Sequence, residues 1–533
     1  MCGILAVFGG SPISVGPLER RGPDQTGAYS DEDVWLAHAR LAVVTPEAEP
    51  QPFVTENWIL TINGEVYNAP RVPGQTDCAH VIQLLDAFGA LAPRYIDGVF
   101  SFVAWRPADK TIVVARDAIG VTPLYMGAAD GALYFSSLLD ALPHRAGVSI
   151  VPPGTSAAFQ LGEMPGFVPW TRPYSAWRDL ALTTPDDTLL VKQMVRAVEK
   201  RLMGDVPWGV LLSGGLDSTI VAAIAANIAS KRTDYPVVHT FCIGLADSPD
   251  VHWAKCVAAE LGTHHTSFEY TVADGLAAIP ETIRAIETYD VTTIRAGTPM
   301  WLMGRLLKRR GIKVVLSGEG SDELFAGYLY NLMCPSERAM VDECRRKMEL
   351  LHSYDCARAN KTLGDWGVET RVPFLDADVV DFAMNKMHPR FKLSGTHPDG
   401  ARPEKWWLRE TFRAFIPSCV RERTKAQFSD AVGGAWIQGI RDWADARVDD
   451  ITLEQAASVF PESTPHSKEA YMFRSIFEAR FPQRDAVHTV EFNEASIACS
   501  TGPAAKWHAG FEAHLDPSGD SVARAVQKIQ PKT

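Results

Sequence analysis

The chain of 533 residues has no Cys-x-x-Cys pair, and its nine cysteines are odd in number and widely spaced. That excludes a disulfide scaffold and a zinc ribbon and fits a reducing compartment. It has no uncharged apolar run long enough to cross a bilayer. Long basic runs are missing too: Lys+Arg total 52 against 64 Asp+Glu, for a formal charge of −12, which disfavours nucleic acid as a partner. The opening Met-Cys-Gly-Ile-Leu-Ala-Val-Phe-Gly-Gly lacks a basic segment and breaks early at Gly-Gly, so no secretory signal is expected, and the expected location is cytoplasmic. What is present is ordinary for a globular protein, 46% apolar and 22% charged residues, over a length that suggests two or more domains.

The stretch Val210-Leu211-Leu212-Ser213-Gly214-Gly215-Leu216-Asp217-Ser218 organises the rest. An apolar run enters two glycines and an acid, and an alanine-rich run from Thr219 to Ser230 follows, which reads as strand, tight loop, helix. Gly214 and Gly215 carry no Cβ, so a phosphate can approach their amides. The helix N-terminus adds unpaired N–H groups and partial positive charge, and Ser213 and Ser218 add hydroxyls. Asp217 repels phosphate and makes sense as a ligand of a magnesium ion that bridges phosphates. Taken alone, the stretch also fits an ordinary βα turn with a capping serine, because short glycine motifs recur by chance.

In the N-terminal third, Ile4 to Phe8 reads as a buried strand with Cys2 just ahead of it. If Met1 is removed, a free α-amine of pKa roughly 7.7–8.0 lies on the same residue as the thiol. That makes an activated nucleophile by the logic of N-terminal threonine enzymes; the alternative is a small buried hydrophobe. Trp35 to Val44 is strand-like and includes His38 and Arg40, and Trp58 to Ile62 is a strand ending at Asn63-Gly64-Glu65. Asn63-Gly64 reads either as a hairpin turn or as an oxyanion hole made by the Asn63 amide and the Gly64 N–H. Short strands dominate through Phe159, with one helical pattern from Ala79 to Ala90: an antiparallel, sheet-rich domain.

Pro165 to Arg178, rich in Pro, Trp and Arg, reads as a linker. A core-facing helix is expected over Thr188 to Met203, with Leu189, Val191, Met194, Val195, Val198 and Leu202 as its apolar stripe. Strands then alternate with helices: Val206 to Leu212, Val237 to Gly244, His265 to Tyr270 and Ile312 to Leu316. This implies a parallel sheet with helices on both faces. Ser317-Gly318-Glu319-Gly320-Ser321-Asp322-Glu323 follows the last of these strands, at the carboxyl end where such sheets bind ligands. Two acids opposite a phosphate loop suit magnesium and acid–base work.

The motifs Cys2-Gly3-Ile4, Arg21-Gly22-Pro23-Asp24, His38-x-Arg40-Leu41, Asn63-Gly64-Glu65-x-Tyr67-Asn68, Thr76-Asp77 and Arg116-Asp117 resemble the class II glutamine amidotransferase domain. Ser213 to Ser218 resembles the loop of ATP-pyrophosphatases. With Ser317 to Glu323, Glu287 to Ala296, Tyr354 to Lys361, Glu369 to Asp376 and Pro465 to Tyr471, nearly the whole chain resembles the glutamine-hydrolysing asparagine synthetase family, closest to its bacterial type.

The resemblance implies an α+β N-terminal domain, an antiparallel sheet sandwich of the N-terminal nucleophile type, followed by an α/β domain with a parallel sheet. The expected divisions are a glutaminase domain at 1–164, a linker at 165–185, a synthetase domain at 186–490 and a tail at 491–533 whose end is mobile. It implies ATP-dependent amidation of aspartate through a β-aspartyl-AMP intermediate, with Mg²⁺, and a possible homodimer through the N-terminal domains. Cys2 would attack glutamine, and Asn63 and Gly64 would hold the oxyanion. Arg40 would take the α-carboxylate, and Glu65 and Asp77 the α-ammonium. Ser213, Gly214, Gly215 and Ser218 would cradle pyrophosphate, and Ser317 would also bind ATP. Leu211, Ile243 and Gly318 would line the adenosine pocket, and Asp217 and Asp322 would hold the metal. Lys405 would neutralise the leaving pyrophosphate. Thr292, Thr293 and Arg295 would bind aspartate, and Glu319 would be the base. Lys425, Gln427 and Ser429 could reach the site or not.

The chain also departs from the family. Segments between Gly10 and Arg20 and after Asn68 are trimmed, and Leu138 and Asp140 stand where other charges are usual. These gaps lead us to expect a loosened interface and leaky ammonia transfer. Two other readings are a β-lactam-synthetase-type cyclase, disfavoured by Cys2 and Arg40, and a non-catalytic binding protein, disfavoured by retention of Cys2, Asp217, Glu319 and Asp322 together.

Overall fold

The computed structural model describes residues 1–171, 184–233, 235, 237–397, 400–421, 423, 432–491 and 499–507. The first region holds twelve strands: β1 (Gly3–Phe8), β2 (Gln25–Ser30), β3 (Val34–Arg40), β4 (Phe53–Val54), β5 (Ile59–Val66), β6 (Gly98–Arg106), β7 (Thr111–Arg116), β8 (Tyr125–Ala129), β9 (Ala132–Ser136), β10 (Gly147–Ile150), β11 (Thr155–Gln160) and β12 (Val168–Pro169). They form two antiparallel six-stranded sheets, ordered β10-β8-β9-β1-β3-β2 and β12-β11-β7-β6-β5-β4.

The period-two geometry of a strand sorts the residues of β1 between two cores. Ile4, Ala6 and Phe8 meet Ile59, Val103, Trp105 and Val114 inside the sandwich. Leu5 packs outward with Leu18, Ala37 and Leu138, and Val7 joins a core that runs into the second domain. Both faces are buried, which is why the sequence shows an unbroken apolar run. On the far sheet the helix His80–Phe88 seals Leu60, Ile62, Phe100 and Phe102.

The trimmed segment still contributes to packing. Gly16–Glu19 forms one helical turn, and its Leu18 is fully buried between β1 and β3. The anomalous Asp140 is also integrated: its carboxylate pairs with Arg480 at 2.6 Å, and its N–H donates to Glu287 Oε1 at 2.8 Å. The expectation of a loosened interface therefore fails at these positions.

The helix Asp187–Lys200 begins at Asp186, whose side chain accepts from the Leu189 N–H. It buries Leu190, Met194, Ala197 and Val198, a face rotated from the predicted stripe, so that Leu189, Val191 and Val195 lie at its margin. Five parallel strands follow: β13 (Trp208–Leu211), β14 (His239–Gly244), β15 (His264–Glu269), β16 (Val314–Leu316) and β17 (Glu369–Arg371). Their order is β15-β14-β13-β16-β17. The chain goes one way from β13 and returns to its other side at β16, so the carboxyl ends of β13 and β16 flank a topological switch point, where ligands of such sheets bind. Residues 499–507, expected as part of the tail, pack onto this domain: Ala504 and Ala505 are buried against Tyr328 and Tyr330, and Thr501 N donates to Glu343 Oε1 at 3.2 Å. Residues 508–533 lie outside the described set.

Candidate active sites

The first site gathers around Cys2. Asn63 and Gly64 lie inside β5, opposite Ser101 and Phe100 of β6, so the hairpin-turn reading is excluded. A Cβ at Gly64 would meet Val99 O at 2.2 Å, so only glycine lets the two strands close there. Asn63 is fully buried, and neither polar atom of its carboxamide has a hydrogen-bond partner among the described residues. An unpaired buried amide is costly and marks a place where a ligand completes the bonding. The half-buried Cys2 thiol lies 3.9 Å from Leu41 O; burial pushes its pKa up, and the nearby terminal ammonium pulls it back. Asp77 Oδ2 accepts from Val66 N at 2.8 Å; burial raises this carboxyl to about 6 against the pull of that bond.

Arg40 is placed differently from expectation. Its guanidinium donates to Gln25 Oε1 and to the carbonyls of Val44, Thr45, Pro46 and Ala48, at 2.6–3.3 Å. It clasps the loop after β3.

The second site forms where β13 and β16 end. The helix Leu216–Ala229 starts at Gly215 directly beyond β13. Gly214 has φ +71°, and a Cβ there would strike the Trp253 backbone at 2.5 Å; at Gly318 it would meet Ser218 N at 2.9 Å. The two glycine loops thus touch, and the absence of side chains permits it. Ser213 Oγ lies 3.2 Å from Ser218 Oγ and accepts from Gly215 N at 3.3 Å. Leu211, Phe241, Ile243, Met300 and Met303 supply an apolar end to the same cleft, while Ser317, Gly318, Glu319, Asp322 and Lys405 line the polar end.

The charges there are interlocked. Lys405 Nζ is 2.6 Å from Asp217 Oδ1 and 2.6 Å from Asp322 Oδ1, and Ser321 Oγ donates to Asp217 at 2.7 Å. Packing is tight: a Cβ on Gly327 would sit 2.0 Å from both Asp322 Oδ1 and Lys405 Cε. Glu319 is held by Arg358, whose Nη2 reaches its two oxygens at 3.0 and 2.9 Å; Arg358 also pairs with Asp355. Burial raises neighbouring Glu323 to about 7.

Of the three residues expected at aspartate, Thr292 lines the cleft and Thr293 lines the chamber next to it. Arg295 does neither: it is buried in a two-pronged pair with Glu469, at 2.8 and 2.5 Å. Thr292 and Thr293 face the chamber, but the helix Val291–Arg309 turns Arg295 toward Glu469 instead. Lys425, Gln427 and Ser429 lie outside the described residues.

Sequence reasoning missed Arg358, Asp355 and Arg423. Arg423 donates to Ser213 O at 2.9 Å and to Asp250 at 2.5 Å. The Tyr354 to Lys361 stretch stood out, but nothing along the chain tells that Arg358 meets a carboxylate 39 positions earlier.

An antiparallel sandwich with a cysteine at position 2 and a parallel sheet with a glycine loop facing carboxylates define a two-site amidotransferase-ligase. Family models agree: the glutamine amidotransferase domain matches residues 1–157, and asparagine synthase matches 190–338 and 332–505. The chain is 44% identical over 551 residues to asparagine synthetase [glutamine-hydrolyzing] 2 of Arabidopsis thaliana, covering 97% of this chain and 94% of that one. It is 43% identical over 583 residues to asparagine synthetase [glutamine-hydrolyzing] 3 of the same plant, at 100% and 99% coverage. The Zea mays asparagine synthetase [glutamine-hydrolyzing] is 43% identical over 556 residues, at 98% and 93%. The chain belongs to the family of glutamine-hydrolysing asparagine synthetases.

Proposed function

We propose that the chain makes asparagine from aspartate, ATP and glutamine at two sites, divided between residues 1–164 and the region from 186 onward. The observation that carries this is the meeting of the two glycine loops with Asp217, Asp322, Lys405 and Glu319 in one cleft. At the first site the Cys2 thiolate attacks the glutamine amide carbon. Asn63 Nδ2 and the Gly64 N–H take the oxyanion, the amide nitrogen takes up the proton lost by the thiol and leaves as ammonia, and water releases glutamate from the thioester. Glu65 and Asp77 hold the α-ammonium, and Arg40 acts on the α-carboxylate through the loop it clasps.

At the second site the aspartate β-carboxylate attacks the α-phosphorus of ATP, and pyrophosphate leaves toward Lys405, Ser213, Gly214, Gly215 and Ser218. Leu211, Ile243, Ser317 and Gly318 hold the nucleoside end. Ammonia then attacks the acyl carbon of β-aspartyl-AMP, AMP leaves, and Glu319 accepts the extra proton. Thr292 and Thr293 place aspartate, and Arg295 acts from behind them.

Asp217 and Asp322 fit a magnesium ion: two hard carboxylates converge on one cation position, and magnesium takes one or two carboxylates plus phosphate oxygens. Bound there, the ion would neutralise phosphate charge. Lys405, which bridges the pair, is the group that would turn to the phosphates.

A homodimer through the N-terminal domains and a cytoplasmic location belong to the same reading, and light scattering tests the former. Among the described residues no helix is long and apolar enough to cross a membrane. The deciding experiment incubates the protein with ATP, aspartate and amide-labelled glutamine and follows AMP, pyrophosphate and labelled asparagine. Glutamate release with no asparagine would overturn the reading.

A further inference from the structure

The pocket around Cys2 takes one wall from the other domain. β17 ends in Glu369-Thr370-Arg371, at the edge of the parallel sheet, and both charged side chains reach the first domain. Arg371 Nη2 pairs with Glu65 Oε1 and lies 2.8 Å from Glu369 Oε1, to which Nε also donates at 2.9 Å. Nη1 donates to the carbonyls of Arg201, at 2.6 Å, and Met203. Glu369 Oε2 accepts from the Met1 ammonium at 2.9 Å. Arg371 is 2% exposed, and Glu65 and Glu369 are buried beside it. At the backbone, Arg371 O accepts from Ser317 N at 2.8 Å, and Ser317 opens the loop that carries Glu319. One residue therefore touches both sites, the nucleotide loop through its peptide and the glutamine pocket through its guanidinium.

A carboxylate sealed from water resists ionisation unless a cation stands against it. Burial drives Glu65 well above the usual carboxylate range, Glu369 pushes the same way, and Arg371 is the cation that opposes them. Tyr67 adds a hydrogen bond, Asp77 and Cys78 stand on the adjoining turn, and Arg201 and the terminal ammonium are the other cations nearby. We propose that Arg371 is a positioning residue of the glutamine site, supplied by the synthetase sheet, whose guanidinium sets a positive charge against the buried Glu65 side chain and aims it at the substrate α-ammonium. The proposal rests on the reading of Glu65 as the ligand of that ammonium.

The test is the glutaminase reaction of the full chain across pH, with ammonia-dependent synthesis and thermal unfolding measured on the same samples. Arg371→Gln removes the charge, so Glu65 holds its proton to higher pH. The acid limb of kcat/KM for glutamine should then move up by about one pH unit, and KM at neutral pH should rise about tenfold, with kcat moving far less. Arg371→Lys keeps a cation and should leave the limb where it is. A folded Arg371→Gln protein with the original limb and KM overturns the proposal, as does an Arg371→Lys protein shifted as far as Arg371→Gln. A merely structural arginine would lower unfolding temperature and both activities without moving the limb. If Arg371→Gln does not fold, the position of the limb in Arg371→Lys decides. Glu65→Gln separates the two readings: unchanged glutamine KM there removes Glu65 as the ligand, whereas a raised KM there with none in Arg371→Gln removes only the role of Arg371.

Discussion

Arg358 holds the carboxylate of Glu319 from one side, with Nη2 at 2.9 and 3.0 Å from its two oxygens. A base fixed in this way loses little entropy on meeting its proton donor. Glu319→Ala should still release pyrophosphate from ATP and aspartate but form asparagine roughly 10²–10⁴-fold more slowly. Arg358→Gln should fall between that variant and the native protein. Asparagine made at the native rate by Glu319→Ala would assign the base elsewhere.

Asp217 and Asp322 share Lys405 between them. Asp217→Asn should raise the magnesium concentration needed for half-maximal ATP–pyrophosphate exchange, while glutamine hydrolysis at the other site continues. Exchange that keeps its native magnesium dependence would take the metal away from this pair.

Cys2 is the nucleophile proposed for the first site. Cys2→Ala should abolish asparagine synthesis from glutamine and retain synthesis from ammonia. A folded variant that loses both would show that Cys2 does more than open glutamine.

The interface gives a prediction for stability and one for coupling. Lys361 Nζ donates to Glu287 at 2.7 Å, with both side chains almost wholly buried, and also reaches Tyr125 of the first domain. Lys361→Met strands a buried carboxylate, and urea unfolding should show a loss of about 3–5 kcal/mol. Because Leu18 fills the trimmed segment after Gly10 and Asp140 bonds to Glu287 and Arg480, glutamate and asparagine should form in a ratio near one, and Lys361→Met should raise that ratio at low aspartate. A native ratio well above one would mean that these contacts do not seal the path.

Much of this was legible along the chain because it depends on local pattern. β1, β13 and β16 are apolar runs, and the glycine loops follow β13 and β16 directly. What stayed hidden depends on where distant side chains meet. Arg40 looked like a ligand of a carboxylate, but its donors are absorbed by a loop whose path no motif specifies. Arg295 sits in a recognisable stretch, yet Glu469, 174 positions away, claims it. Glu369 and Arg371 sit in a motif whose task the sequence does not reveal, since the domain they serve lies more than 300 residues earlier in the chain. Composition places a tail from 491 onward, yet Thr501 and Ala504 are buried in a short segment that shows no periodicity.

The helix Asp355–Gly364 turns Arg358 toward Glu319, while Asn360 accepts from Arg21, which in turn donates to the Cys2 carbonyl. Two residues apart on a helix means about 200° of rotation, so these side chains leave from opposite faces. The helix thus ties one of its faces to Glu319 and the other to the backbone of Cys2. A break in that helix, such as Ala359→Pro, would therefore disturb Arg358 and Asn360 at once and lower both reactions together.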